Sequence, residues 1–146
     1  MEEKVMNPDR IKHLEFIQDI VTRMGANSFQ IKGWSITIFS ALLALFAGSQ
    51  SCEKHWFLYA AAIQSTIFWF LDTYYLWQER KFRGVYNDVA GLIAPDKMLQ
   101  VRLFEMPVQK YKGGKYSYWN VFRSITIWLL YVPMIIIAII GGFFLQ

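Results

Sequence analysis

The stretch SITIWLLYVPMIIIAIIGGFFL, residues 124–145, contains no charged side chain and decides the fold class of this chain. Two further apolar stretches precede it, GWSITIFSALLALFAGS at 33–49 and WFLYAAAIQSTIFWFLDTYYLW at 56–77. A helix of roughly 20 apolar residues crosses a hydrocarbon core of about 30 Å, and the first stretch only just reaches that length. The sequence therefore predicts three transmembrane helices.

The composition agrees with a membrane protein. Hydrophobic residues make up 55% and aromatic residues 18% of 146 residues, which is too apolar for a soluble domain of this size. The parts outside the predicted spans are 1–32, a short outer loop at 50–55, and 78–123. None of them is large enough to be an independent enzyme domain.

The basic residues predict the orientation. The loop at 50–55 carries one lysine, and by the positive-inside rule the much more basic segment 78–123 lies in the cytoplasm. The N-terminus is then cytoplasmic and the C-terminus lies outside. Cys52 is the single cysteine, so an intrachain disulfide and a cysteine metal site are excluded. The basic residues of 78–123 are Arg80, Lys81, Arg83, Lys97, Arg102, Lys110, Lys112, Lys115 and Arg123.

The N-terminal segment predicts an amphipathic helix. Asn7 and Pro8 are typical of an N-cap and first helical position, and apolar residues recur after them at three- and four-residue spacing. This helix is expected to end near Gly25. Its polar face mixes acidic and basic residues, which favours packing on protein over lying on anionic lipid.

The segment 78–123 predicts a small cytoplasmic module. The second helix should continue beyond Trp77, and Pro95 should stop what remains of it. Residues 98–104 fit a short strand or a short helix equally well, and Gly113-Gly114 is a two-residue hairpin signal. The predicted fold is thus an all-α membrane protein with an amphipathic helix, three transmembrane helices, and a module containing a β-hairpin. Pro133 should kink the last span unless neighbouring helices compensate.

Signatures of enzymes and cofactor sites are missing from the sequence. His13 and His55 are predicted to lie on opposite sides of the membrane, and neither a phosphate-binding glycine loop nor a nucleophile motif is present. We therefore expect no catalytic residues, no metal and no cofactor. A small transporter is disfavoured because no inverted repeat is found.

Asp72 is the most informative single residue, because an ionisable side chain within an apolar span is a candidate functional site. It shares one helical face with other polar and aromatic residues, which a symmetric oligomer would place around a cation path. Alternatively, Asp72 reaches the headgroup region or pairs with Arg80 or another basic residue. The candidate pore-lining residues are Gln64, Phe68, Asp72, Tyr75 and Glu79.

The stretch KYKGGKYSYW, 110–119, interleaves cations with aromatic rings. Cations engage phosphates and aromatic rings stack on unpaired bases, but the same residues suit a segment lying against anionic lipid. Both interpretations stay open on these residues alone. The candidate ligand-binding residues are Arg102, Lys110, Tyr111, Lys112, Lys115 and Tyr116.

Three stretches carry a resemblance to a known family: SFQIKGWSITIFSALLAL at 28–45, FWFLDTYYLWQERKFRGVYNDV at 68–89, and FEMPVQKYKGGKYSYWNVF at 104–122. In hydropathy and residue character the chain resembles small bacterial membrane effectors encoded beside nucleotidyltransferases in anti-phage defence systems. It is similar to the membrane component of the Hailong system and, more distantly, to the two-span SLATT effectors, from which the third span departs.

The resemblance implies a homo-oligomeric channel in the bacterial inner membrane that depolarises the infected cell. Its gating ligand would be a nucleotide or a single-stranded DNA oligomer made by a partner nucleotidyltransferase, and in the Hailong-like version this ligand holds the channel shut. The basic, aromatic module would receive it. The competing interpretation is a non-conducting membrane anchor or adaptor for a cytosolic enzyme.

Overall fold

The computed structural model describes residues 7–50, 54–93 and 99–144. Within them the chain is helical and contains no strand. The α-helices are α1 (Pro8–Gly48), α2 (His55–Ala90), α3 (Tyr118–Phe122) and α4 (Ile125–Phe144), and 3-10 helices cover Val108–Lys110 and Gly114–Tyr116. The predictions for Cys52, Pro95 and Lys97 lie outside the described residues.

Helix α1 begins where the sequence predicts and ends much later. The Asn7 side chain accepts a hydrogen bond from the Asp9 amide at 3.1 Å, and Pro8 occupies the first turn. The predicted end near Gly25 is wrong, because α1 runs without a break to Gly48. A glycine inside a helix costs only about 1 kcal/mol relative to alanine, and Gly25 packs against Glu79 of α2.

Helix α2 also extends well beyond its apolar stretch, as expected, and ends at a glycine. Gly91 adopts a left-handed conformation (φ 72°). The Gly91 amide bonds the Asp88 carbonyl at 3.1 Å and the Leu92 amide bonds the Asn87 carbonyl at 2.9 Å. This pair of bonds is a Schellman motif, which satisfies the last carbonyls of the helix.

The three long helices pack side by side in alternating directions. Arg10 near the start of α1 bonds the carbonyl of Val89 near the end of α2, so these two helices are antiparallel. Helix α4 is antiparallel to α2, since the Tyr59 hydroxyl donates to the Gly142 carbonyl at 3.4 Å. Pro8 and Phe144 therefore lie at opposite ends of the bundle.

The bundle has two parts, because α4 is shorter than its neighbours. At 1.5 Å per residue α4 is about 30 Å long, whereas α1 and α2 measure about 62 and 54 Å. Alongside α4 the core contains Phe39, Ala61, Met134 and Ala138, with a second cluster around Tyr131. Beyond α4 the free halves of α1 and α2 hold a core of Ile17, Val21, Val85, Val89 and Tyr111.

Among the described residues, α1 and α4 are long and apolar enough to cross a membrane. Helix α4 is apolar throughout and continues through Pro133, and it exposes large side chains such as Leu129 and Phe144. Helix α2 does not reach the same mean hydropathy, because Gln64, Ser65, Asp72 and Thr73 interrupt its apolar stretch. The crossing by residues 56–77 therefore stays a prediction.

The predicted hairpin is not confirmed. The chain bends at the glycine pair, with φ values of 74° at Gly113 and 49° at Gly114, but one 3-10 helix ends at Lys110 and the next begins at Gly114. The rings of Tyr111 and Tyr116 meet at 5.3 Å across this bend and close over Gly84 of α2. The chain bends to bury these rings instead of extending to pair its backbone. Residues 99–104 form neither a helix nor a strand.

Candidate functional site

A buried ion pair joins α1 to α2 in the part of the bundle that lies beside α4. The carboxylate of Asp72 is fully buried, and Lys32 Nζ lies 2.7 and 2.8 Å from its two oxygens. The hydroxyl of Ser28 donates to the same carboxylate and accepts from Lys32 at 2.7 Å. The buried hydroxyl of Tyr131, on α4, is a further polar group beside Asp72.

Helix periodicity explains why these groups meet. Ser28 and Lys32 are four residues apart on α1, so they lie on one face, and the antiparallel register brings Asp72 opposite them. A buried carboxylate without a partner costs several kcal/mol, which Lys32 offsets with its charge. The Lys32 side chain keeps a quarter of its surface exposed, whereas the Asp72 side chain has none.

The five predicted pore-lining residues all lie on the side of α2 that faces α1 of the same chain. Gln64 donates to Ser35 at 3.2 Å, and the Glu79 carboxylate lies against Gly25. Phe68 and Tyr75 line a groove with residues of α1. Of the alternatives for Asp72, pairing with a basic residue is found, and the partner is Lys32 instead of Arg80, which bonds Ser124 at 3.0 Å. Pore lining stays a prediction for all five.

Sequence reasoning missed Lys32, Ser28 and Tyr131 as partners of Asp72. Lys32 was assigned to the segment before the first span, because its charge marks the edge of the apolar stretch. A lysine within one helical turn of a span does reach inward by its long side chain, which was the available signal. The register that brings positions 32 and 72 together depends on tertiary packing and has no local signature.

A second buried carboxylate lies farther along α2, in the part beyond α4. Asp88 accepts hydrogen bonds from the Tyr111 hydroxyl and from the Leu99 amide at 3.2 Å. Burial, together with the bond to Asp88, raises the pKa of the Tyr111 hydroxyl far above its ordinary value. Tyr111 is thereby a core residue, and its ring is not free to stack on a ligand.

Beside this core, a cleft of about 330 Å³ is lined by cationic side chains of α2 and the module. Arg83 pairs with Glu79 at 2.7 Å and keeps most of its surface in solvent. Lys81 lies over the Trp77 ring, 3.4 Å from its centre, and burial and the nearby charge of Lys112 lower its pKa. An anion bound beside Lys81 and Lys112 would reduce the repulsion between their charges. The lining residues are Arg80, Arg83, Gly84, Asn87, Lys115 and Tyr116.

The structure places the six predicted ligand-binding residues at different locations. Lys115 and Tyr116 line the cationic cleft, and Lys112 lies near it, beside Lys81. Arg102 and Lys110 instead line a separate surface cleft with Glu105, which lies 3.9 Å from Lys110. Tyr111 belongs to the core. The residues that complete the cleft, Arg80 and Arg83, are basic residues that follow the second apolar stretch, and helix α2 carries them there.

The chain was compared with known proteins at three levels. No family model, curated protein or solved structure matches it.

Proposed function

We propose that this chain forms an oligomeric pore in the bacterial inner membrane and acts as an effector of anti-phage defence, opened or closed by a phosphate-rich ligand. The observation that carries the proposal is that one unbroken helix, α2, holds both the buried ion pair and the cationic cleft. Arg80 lies eight residues, or about 12 Å, from Asp72 along this helix. A ligand that moves Arg80 therefore moves the segment that holds the pair.

The chemistry of the cleft selects the ligand class. Arginine and lysine side chains bind phosphate oxygens through charge-assisted hydrogen bonds, and Tyr116 offers an aromatic face next to them. A nucleotide or a single-stranded DNA oligomer combines both features. The resemblance to the Hailong membrane component points to the same class and to a partner nucleotidyltransferase as its source.

The ion pair supplies the closed state of the proposed pore. Gln64 and Asp72 bond α1 of their own chain, so the polar side of α2 is covered in this conformation. Conduction would require copies to assemble with closed symmetry and α2 to turn its polar side toward the shared axis. The free energy of the Lys32–Asp72 pair sets the cost of that rotation.

The decisive test is cation flux from proteoliposomes that contain the purified chain with a defined lipid composition. We expect flux that changes when a short single-stranded DNA oligomer or a nucleotide is added on the side of the cationic cleft. The change should be lost in Arg83→Gln and Lys115→Gln and kept in Lys12→Gln, which removes the same charge from an exposed position of α1. Absence of flux under every condition would exclude the pore.

The Asp72→Asn variant tests, in the same assay, whether the carboxylate is needed for conduction or only for folding. Asp72→Asn should leave expression and oligomer size unchanged, because Lys32 is partly exposed and extends toward the headgroups when it loses its partner. Cation flux and toxicity on overexpression should fall if the carboxylate lines the path. Equal flux from both proteins would remove Asp72 from the conduction path without touching the ligand site.

A second candidate function is a non-conducting anchor or adaptor for a cytosolic enzyme. The observation in its favour is that the polar groups of Gln64, Asp72 and Glu79 are engaged within one chain, so a single copy is a complete bundle. An anchor would run as a monomer in several detergents and in lipid. A stable homo-oligomer with ligand-dependent flux would exclude it.

A further inference from the structure

A third buried group is unused by the ion pair and by the cationic cleft. His13 of α1 is 1% exposed, and its Nε2 atom is buried without a hydrogen-bond partner among the described residues. Buried polar atoms without a partner are rare in native proteins because each gives up its hydrogen bonds to water and gains none in return. His13 lies on the wall of a cleft of about 430 Å³ at the end of the bundle that lies beyond α4.

The cleft presents hydrogen-bond donors next to His13. Arg10 directs Nε and Nη2 to the Val89 carbonyl, which fixes the guanidinium, and no acceptor among the described residues bonds Nη1. The Asn7 side chain uses its oxygen to cap α1, so its amide nitrogen is the group left to donate. Gln100 adds a second amide at the rim. A set of donors around one charged guanidinium is the chemistry that holds a carboxylate or another small anion.

Two features of the cleft walls further restrict the class of ligand. Leu99, Val101 and Leu103 line the same cleft and offer contact to a carbon chain. Asp88 also lies at the wall, with its oxygens occupied by Tyr111 and the Leu99 amide, and its negative charge opposes a doubly charged phosphate. A singly charged acid with an apolar body fits both features.

We propose that this cleft binds a small organic acid, whose carboxylate bonds the Arg10 guanidinium beside the His13 ring and whose carbon chain packs on Leu103. The site is separate from the cationic cleft and does not depend on conduction. It would give the extramembrane part of the bundle a second, metabolite-sized ligand at the junction of α1 with the end of α2.

The test uses the two histidines of the chain as reporters. The full-length protein in lipid nanodiscs, labelled with ¹³C and ¹⁵N at histidine, is titrated with acetate, propionate and butyrate at constant pH and ionic strength. We expect a saturable shift of the His13 resonance and none for His55, at the opposite end of α2. Affinity should rise about fourfold for each added methylene as apolar surface is buried.

Matched variants make the result decisive. Arg10→Gln should abolish the His13 shift, and Lys12→Gln, which removes an exposed charge two residues away, should preserve it. Because Arg10 also bonds α2, Leu103→Trp is a second variant that fills the cleft without removing a hydrogen bond, and it should abolish binding with the helical circular dichroism unchanged. A His13 shift that is absent, that does not saturate, that inorganic phosphate reproduces, or that Leu103→Trp leaves intact would overturn the proposal.

Discussion

Asp72 and Asp88, two of the carboxylates buried along α2, are satisfied in different ways. Asp72, in the part beside α4, is held by the charge of Lys32 and the hydroxyl of Ser28. Asp88, in the part beyond α4, is held by the neutral donors of Tyr111 and the Leu99 backbone. The first arrangement joins two helices through one flexible side chain, whereas the second fixes an irregular segment against a helix. The second arrangement is part of the core around Tyr111.

The largest loss of stability is expected when Lys32, the cation that holds Asp72, is removed. Lys32→Met leaves the Asp72 carboxylate buried without its charge partner, which typically costs about 3–5 kcal/mol. The double variant Lys32→Met/Asp72→Asn removes both charges and should regain most of this loss. Unfolding free energies in mixed micelles measure both. Equal stability of the single and double variants would mean that the pair is not the bond that holds α1 to α2.

Removing the hydroxyl that donates to Asp88 should cost less free energy of unfolding. Tyr111→Phe keeps the ring in the core and removes one donor to a charged acceptor, a loss of about 1.5–3 kcal/mol. The module should loosen while the helices beside α4 keep their protection, and amide hydrogen exchange resolves these two regions. Uniform loss of protection along α2 would show that the two parts unfold as one unit.

Alanine substitutions at two glycines compare how tightly the two parts of the bundle are packed. A methyl group at Gly84 would lie 2.7 Å from the Tyr111 ring and 2.8 Å from the Tyr116 hydroxyl, so Gly84→Ala should cost about 1–3 kcal/mol. Gly33 has no atom within 4 Å of that position, and Gly33→Ala should stabilise its helix by up to about 1 kcal/mol. Thermal unfolding of the two variants gives the comparison. A shift of the same sign in both would contradict the close packing at Gly84.

The smallest effect concerns alkaline pH. The raised pKa of Tyr111 means that the folded chain keeps a proton which the unfolded chain releases near pH 10.0. This contribution to stability is complete below that pH and decreases above it, by about 0.4 kcal/mol at pH 10. The difference between wild type and Tyr111→Phe should therefore shrink as pH rises from 8 to 10. Unfolding free energies of wild type and Tyr111→Phe at pH 8 and at pH 10 measure this change, and a constant difference would contradict it.

The apolar stretches and the start of α1 were predictable because they depend on local sequence: side-chain hydropathy, and the Asn7-Pro8 cap. The sequence signals for a break at Gly25 and a hairpin at Gly113-Gly114 were misleading, because tertiary packing overrides both of them and the described residues show neither feature. Gly25 stays helical where it packs against α2. The backbone around Gly113-Gly114 bends so that the rings of Tyr111 and Tyr116 are in contact, instead of extending as a strand. Asp72 was identified by its charge alone, but Lys32, forty residues away, required the register of two antiparallel helices.

The absence of a break in α1 at Gly25 has a mechanical consequence. A continuous helix resists bending, so a tilt imposed at Arg10 is transmitted along the whole rod to Ser28 and Lys32. Helix α2 is an equally stiff second rod, tied to the first at Val89 and at Asp72. We therefore expect a displacement at the Arg10 end to be passed along both helices to the ion pair, in the stretch where they pass α4.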